Sequence, residues 1–248
     1  CFMITLFIDT CHYNLMVGIY RNEEELVLLN EKNDNHLSER LLPLIDKAFE
    51  MVNLDINDTE NIIVANGPGS FTGVRIGVTV AKTLAYSLGC KIHTVSELEI
   101  METTPISTSY IVPLIDARRD AAYGAMYNKN SGIVIADTYI SLKELLAKVK
   151  EATDLNQVTF VSYEQFDEID TTLPKIDLSH IICDNLNGDG VLCHLVNPNY
   201  LKKIIKFKRE EEKSRIGGIP SNKSILDFEY WKLDFNEKIL IVFKKMQD

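Results

Sequence analysis

Apolar and polar positions divide the chain into short, sharply bounded elements. Residues 4–8 are a continuous apolar run that stops at Asp9 and Thr10, which reads as a buried strand. Residues 15–20 and 26–30 follow, separated by polar turns at 13–14 and 22–25, so the chain opens with an antiparallel three-strand meander. Leu37, Leu41, Ile45, Phe49 and Val52 recur at helical spacing and predict a helix, with Asn35 or Ser38 as its cap. A strand at 61–65, a helix at 71–88 closed by Gly89, a strand at 91–94 and a helix at 96–102 complete a βββαβαβα order. That order predicts a mixed sheet with helices packed on it.

After the polar stretch 103–109 the pattern returns. Strands are expected at 110–115, 121–127 and 133–139, with the hairpin turn NKNSG at 128–132, then a helix at 142–149 and a strand at 158–162. The βββα order therefore recurs, without a residue-level repeat. A duplicated unit of this kind is the plan of the actin-like, ribonuclease-H-like α/β folds, with two lobes of mixed sheet flanked by helices. The lobes are expected at 1–105 and 106–206, with a tail at 207–248. Beyond Asn197 the pattern is weak: residues 202–215 are dense in charge, and 239–243 read as a final strand.

Two features stand out in the first half. The stretch NGPGSFTGVRIG at 66–77 is a glycine-rich turn feeding a helix, and Ser70 is placed to cap that helix. Unpaired N–H groups at a helix start suit an anion, so Gly67, Gly69 and Ser70, with Asp9 at the end of the first strand, are candidate contacts for a nucleotide phosphate and its Mg²⁺. A tight turn with nothing bound fits equally, and the stretch matches neither the P-loop nor G-x-G-x-x-G. In the helix itself Gly73, Gly77, Ala81 and Ala85 form a strip of small residues, while Phe71, Val74, Val78, Val80, Leu84 and Leu88 cover most of the rest. A helix apolar on so many sides is buried on more than one of them. Either the two helices of this half cover one another, or they offer a face to another protein through Leu41, Ile45, Phe49, Gly73, Val74, Gly77, Val78 and Ala81. The small-residue strip also suggests pairing with a second copy.

Composition narrows the function. With 26 basic and 36 acidic residues the net charge is −10, unsuited to gripping nucleic acid unaided. Cys1, Cys11, Cys90, Cys183 and Cys193 form no C-x-x-C pair, so neither a zinc site nor a disulfide framework is indicated, and reduced cytoplasmic thiols are expected. No run has the length of a membrane span, and the first residues lack the basic region of a signal peptide. Cys1 and Phe2 precede Met3 and read as a remnant ahead of the native start.

The glycine segment, continued to Gly89, resembles the hallmark segment of the TsaB (YeaZ) family. LFIDTC at 6–11 is similar to that family's first strand and turn. NHLSERLLPLID at 35–46 is similar to its H-S-E-x-L-L-P helix, with Leu37 inserted between His36 and Ser38. PLIDARRDAAYGAMY at 113–127 resembles its D-A-R-x-x-x-x-Y strand pair, and NPNYLKK at 197–203 its late P-x-Y-L-R/K element. The likeness is good from Met3 to Tyr127, loose to Lys203 and absent from Phe207.

The resemblance implies a non-catalytic subunit that binds a TsaD-like catalytic subunit of the same fold and, through the complex, a TsaE-like ATPase and tRNA. That complex places a threonylcarbamoyl group on N6 of the adenosine beside the anticodon. No cofactor is implied for the chain itself; ATP or ADP with Mg²⁺ would lodge at the interface with the catalytic subunit. TsaD-type relatives carry N-H-x-E-x-H, whose two histidines share a helix face and bind a metal. Here Glu97 and Met101 hold those positions, which implies no metal site and argues against a peptidase. A stand-alone ATP-dependent phosphotransferase is the rival reading. His36 reads as a surface helix-start residue; Asp116, Arg118 and Arg119 read as an anion site or as ordinary ion pairs. His12, His93, His180 and His194 show no ligand spacing.

Overall fold

The computed structural model describes residues 2–32, 36–186 and 188–201. The expected charge-dense segment at 202–215, the strand at 239–243 and the Asn35 cap lie outside the described residues. Strands β1 (Ile4–Asp9), β2 (Asn14–Arg21) and β3 (Glu24–Lys32) form the meander. They are followed by α1 (Leu37–Val52), β4 (Thr59–Ala65), α2 (Phe71–Leu88), β5 (Lys91–Val95) and α3 (Glu97–Glu102). The second half carries β6 (Tyr110–Asp116), β7 (Ala121–Asn128), β8 (Gly132–Ser141), α4 (Leu142–Ala152), β9 (Val158–Val161) and α5 (Ser179–Leu186).

The first sheet has the order β3-β2-β1-β4-β5 and the second β8-β7-β6-β9. In both, the meander is antiparallel and the next strand joins parallel to its first strand. The second sheet thus repeats the order of the first four strands of the first, as the recurrent βββα pattern predicts. Alternation explains how the second sheet is buried on both faces. Val112, Leu114, Met126, Val158 and Phe160 meet α4 through Leu145 and Val149. Ile111, Ile115, Ala125, Tyr127 and Val161 point the other way, onto Leu98 and Met101 of α3.

α1 buries Leu37, Leu41, Leu44, Ile45, Ala48 and Phe49 on one stripe. Its cap position is His36, which makes no side-chain cap bond, and Ser38 lies inside the helix rather than capping it. Pro43 sits within α1 on its exposed side, where it leaves one helical carbonyl without an N–H partner. At its far end Asn53 adopts a left-handed conformation and closes the helix. α2 starts on Ser70, whose Oγ accepts the Gly73 N–H at 3.3 Å, and ends on left-handed Gly89. The turn between β2 and β3 is shorter than the sequence suggests because β3 begins at Glu24. The unforeseen α5 carries only two buried residues, Ile181 and Ile182, too few for a legible stripe.

The small strip of α2 has a definite partner, the turn that follows β1. A Cβ on Gly73 would lie 2.1 Å from the Thr10 carbonyl oxygen, and one on Gly77 would lie 2.3 Å from Thr10 Oγ1. That hydroxyl donates to the Gly73 carbonyl at 2.7 Å. Late in the chain, residues 188–200 return to this region. Val191 pairs with Ile92, Lys82 Nζ donates to the Val196 carbonyl at 2.7 Å, and Arg75 Nε donates to the Tyr200 hydroxyl at 2.8 Å. Tyr200 also stacks on Phe71 with ring centroids 5.2 Å apart.

A methyl group at position 77 therefore collides with Thr10. Gly77→Ala is expected to lose about 2 kcal/mol in urea unfolding, as overpacking does. Removing the obstructing hydroxyl with Thr10→Ala should make the double variant less unstable than the two single losses added together. Strict additivity would mean that the helix does not rest on Thr10.

Candidate functional site

β1, β4 and β5 run parallel, so the residues following each of them collect at one end of the first sheet. Those residues are Thr10 and Cys11 after β1, the glycine turn after β4, and Ser96 and Glu97 after β5. In open α/β sheets this carboxyl end is where ligand crevices form.

Asp9 and Glu97 meet here, each only 1% exposed. Their carboxyl groups are hydrogen-bonded to one another. Cys11 completes the group: one ligand atom from each of the three lies within 4.8 Å of the others. Asp9 Oδ1 also accepts the Cys11 N–H at 2.8 Å, and Cys11 Sγ donates to the Ala65 carbonyl at 3.2 Å. Burial raises both carboxyl pKa values; the Cys11 N–H holds Asp9 partly down, while the neighbouring Asp9 charge drives Glu97 further up. Two carboxylates so close in a dry site disfavour double ionisation, so the pair holds a proton between them. Burial first, and then the negative charge of the neighbouring carboxyl pair, raises the Cys11 thiol well above its ordinary value. The second oxygen of Glu97, Oε2, has no hydrogen-bond partner among the described residues.

A second set of contacts ties this corner to the other sheet. His12 Nε2 lies 2.8 Å from Glu164 Oε1, Asn14 Nδ2 donates to the Tyr163 hydroxyl at 3.1 Å, and Tyr13 stacks on Tyr163. Burial alone would raise Glu164, but the hydrogen bond and charge of His12 bring it below its ordinary value. Ser96 Oγ accepts the Leu98 N–H at the start of α3 and donates to Asp137 of β8, which also accepts from the Tyr127 hydroxyl.

The four residues read as nucleotide contacts do converge, but the chain fills the space between them. The Ser70 N–H donates to the Cys11 carbonyl at 2.6 Å, and the Gly67 carbonyl accepts the Glu97 N–H at 3.0 Å. A Cβ on Gly69 would lie 2.1 Å from the Cys11 oxygen, so the close approach that glycine permits is used by the first strand's own turn. Magnesium keeps oxygen ligands and several waters. A closed corner whose third ligand atom is a thiol bonded to Ala65 does not fit a magnesium–phosphate group.

The residues read as a partner interface lie elsewhere than expected. Leu41, Ile45, Phe49, Gly73, Val74, Gly77, Val78 and Ala81 are all buried within the chain. The strip of Gly73 and Gly77 is occupied by Thr10, so it gives no ground for self-pairing. What α2 turns outward instead is Thr72, Thr79, Thr83 and Tyr86, the last 80% exposed, with Phe71 and Arg75 at one edge. The outward face of α1 carries Glu39, Asp46 and Glu50.

His36 is exposed beside Glu39, in keeping with a surface helix start. Asp116 accepts the Arg118 backbone N–H at 2.7 Å, in an exposed turn where Arg118, Arg119 and Asp120 all have positive φ. The pairing of Asp9 with Glu97 was not visible in the sequence, because β4 lies between their strands. The available signal is an acidic residue at, or just beyond, the ends of two strands that a parallel sheet brings together.

Comparison with known proteins gives a consistent picture. The family model described as TsaD, tRNA N6-adenosine threonylcarbamoyltransferase, matches residues 30–181. The tRNA threonylcarbamoyladenosine biosynthesis protein TsaB of Bacillus subtilis is 36% identical over 154 residues, covering 60% of this chain and 67% of that protein. TsaB of Haemophilus influenzae is 32% identical over 108 residues, 42% of this chain and 45% of its own length. The matched stretch thus spans from under half to about two thirds of these relatives. YeaZ from Pseudomonas aeruginosa has the same fold, at TM-score 0.65 and 20% identity, over 80% of this chain and all of that one. A second structure, described as similar to peptidase YEAZ from Pseudomonas aeruginosa, superposes at TM-score 0.67 with 21% identity, over 81% of this chain and 100% of that one.

The shared proton has a measurable signature. Both carboxyl groups sit above their ordinary values of 3.8 and 4.5, so above pH 4.5 the folded chain holds a proton that the unfolded chain releases. The pair therefore costs stability as pH rises. Glu97→Gln keeps a donor for Asp9 without this titration. It should unfold like the parent near pH 4 and be more stable by about 1–3 kcal/mol at pH 8 in urea melts. An unchanged difference between the two pH values would mean that no proton is shared.

Proposed function

Because this chain belongs to the TsaB family of tRNA threonylcarbamoyladenosine biosynthesis proteins, we propose that it is the non-catalytic partner subunit of a cytoplasmic tRNA-modifying complex. In this reading it binds and supports a TsaD-like catalytic subunit, with a TsaE-like ATPase joining the pair. Threonylcarbamoyl transfer to N6 of the adenosine beside the anticodon takes place on the catalytic subunit. The net charge of −10 supports contact with tRNA only through the complex.

One observation carries the division of labour. Glu97 and Met101 occupy the positions that a metal-binding helix would give to histidines, and α3 turns both inward, at 1% and 0% exposure. Met101 packs against Ile111, Ile115 and Val161 in the core. That face supports a structural role better than a metal centre. Among the described residues no helix is long and apolar enough to cross a membrane.

The outward face of α2 is the surface we assign to the catalytic partner. It carries exposed aromatic and threonine side chains, and aromatic anchors dominate the energetics of many interfaces. Mixed with a TsaD-like subunit, the chain should co-elute in size exclusion and be required for modification of tRNA in a reconstituted reaction. Tyr86→Arg should weaken that complex at least about tenfold while leaving the melting curve unchanged. A catalytic subunit that neither binds the chain nor depends on it would overturn the subunit role. Normal binding by a folded Tyr86→Arg variant would move the interface off α2. By contrast Val78→Glu and Ile45→Arg, at 2% and 1% exposure, should unfold the chain rather than report on binding.

A further inference from the structure

Residues 188–200 return along β5 and α2 and bring two cysteines into register. Val191 and Ile92 form an antiparallel bridge, closed by the Val191 N–H donating to the Ile92 carbonyl at 2.7 Å. In antiparallel pairing, a step back on one chain faces a step forward on the other. Continued two steps from this single bridge, that register carries Lys91 to Leu192 and Cys90 to Cys193, at the start of the 3-10 turn. The approach between the chains is close, since a Cβ on Gly190 would lie 3.2 Å from Lys91 Cβ. Cys90 follows the Gly89 cap of α2 directly, with its N–H on the Ala85 carbonyl, and Cys193 opens the short 3-10 turn Cys193–Leu195 that packs on α2. Both are free thiols and both are partly exposed.

We infer that Cys90 and Cys193 form a reversible disulfide that fastens residues 188–200 to the end of α2. Facing residues in an antiparallel pair stand about 4.5–5.5 Å apart at Cα, within the 4.4–6.8 Å span that a disulfide bridges. Cys183, on α5, is engaged with Glu23 instead.

The oxidant is a small disulfide such as oxidised glutathione. The Cys193 thiolate attacks one of its sulfurs, forming a mixed disulfide and releasing one glutathione thiolate, which takes up a proton. The Cys90 thiolate then attacks the Cys193 sulfur and expels the second glutathione. Two protein thiols are oxidised and one glutathione disulfide is reduced. Burial pushes the Cys90 thiol up to about 11, which makes it the slower, resolving partner. Reduction by a dithiol reverses both steps and releases the segment.

The test uses the full chain, treated with oxidised glutathione with and without urea, then alkylated, digested and read by mass spectrometry. The native chain should yield a Cys90–Cys193 linked peptide pair, lost on dithiothreitol treatment. Cys90→Ser should instead trap a glutathione adduct on Cys193. Glutathione adducts at both positions without a link would overturn the inference. So would a link that forms as readily in urea, because then the fold would not be what brings the two thiols together.

Discussion

The seating of α2 on the turn after β1 is the contact on which the rest of the molecule depends. Gly73 and Gly77 let the helix axis come within backbone distance of Thr10. Once it is there, the Ser70 N–H reaches the Cys11 carbonyl and the glycine turn has only one path to follow. The Gly67 carbonyl, fixed by that path, takes the N–H of Glu97 and sets the first residue of α3. Asp9, Cys11 and Glu97 are thus brought together by a steric allowance made twenty residues or more from the last of them.

What this produces is a corner rich in ionisable groups yet closed to water. The Ser70 and Gly73 amides at the start of α2 are directed to Cys11 and to the Ser70 side chain, and the Glu97 amide at the start of α3 to Gly67. The neighbouring carboxyl groups of Asp9 and Glu97 are both pushed above their ordinary values by burial. Met101 fills space between α3 and the second sheet. The strand-end aspartate and the glycine turn are thus tied into the packing between β1, α2 and α3.

Much of this was readable in advance where the signal is local. Apolar runs bounded by turns located the strands, and Ser70 and Gly89 marked the limits of α2. The recurring βββα order anticipated the matching strand orders of the two sheets. The small-residue strip was equally legible, but its use was not, since spacing reveals that a backbone comes close and not which one. Thr10, its actual partner, is 63 residues from Gly73 in sequence. The same limit applied to Leu41, Ile45 and Val78: apolar periodicity marks residues for burial, and a helix packed on a sheet and on its neighbour consumes more of them than one stripe suggests. α5 escaped notice because an eight-residue helix that buries two side chains has almost no period to detect.

The return of residues 188–200 to α2 has a consequence for how the molecule is made. Tyr200 reaches Arg75 across 125 positions and Val196 reaches Lys82 across 114. During synthesis the ribosome completes β1 through α2 long before it supplies the residues that hold Phe71, Arg75 and Lys82 in place. A growing chain therefore carries a less covered α2 for the more than one hundred residues made before these contacts can form, and contacts of such long range form late. The helix proposed to meet another protein is also the last part of its half to be finished, because its contacts are complete only once residues 188–200 have been made.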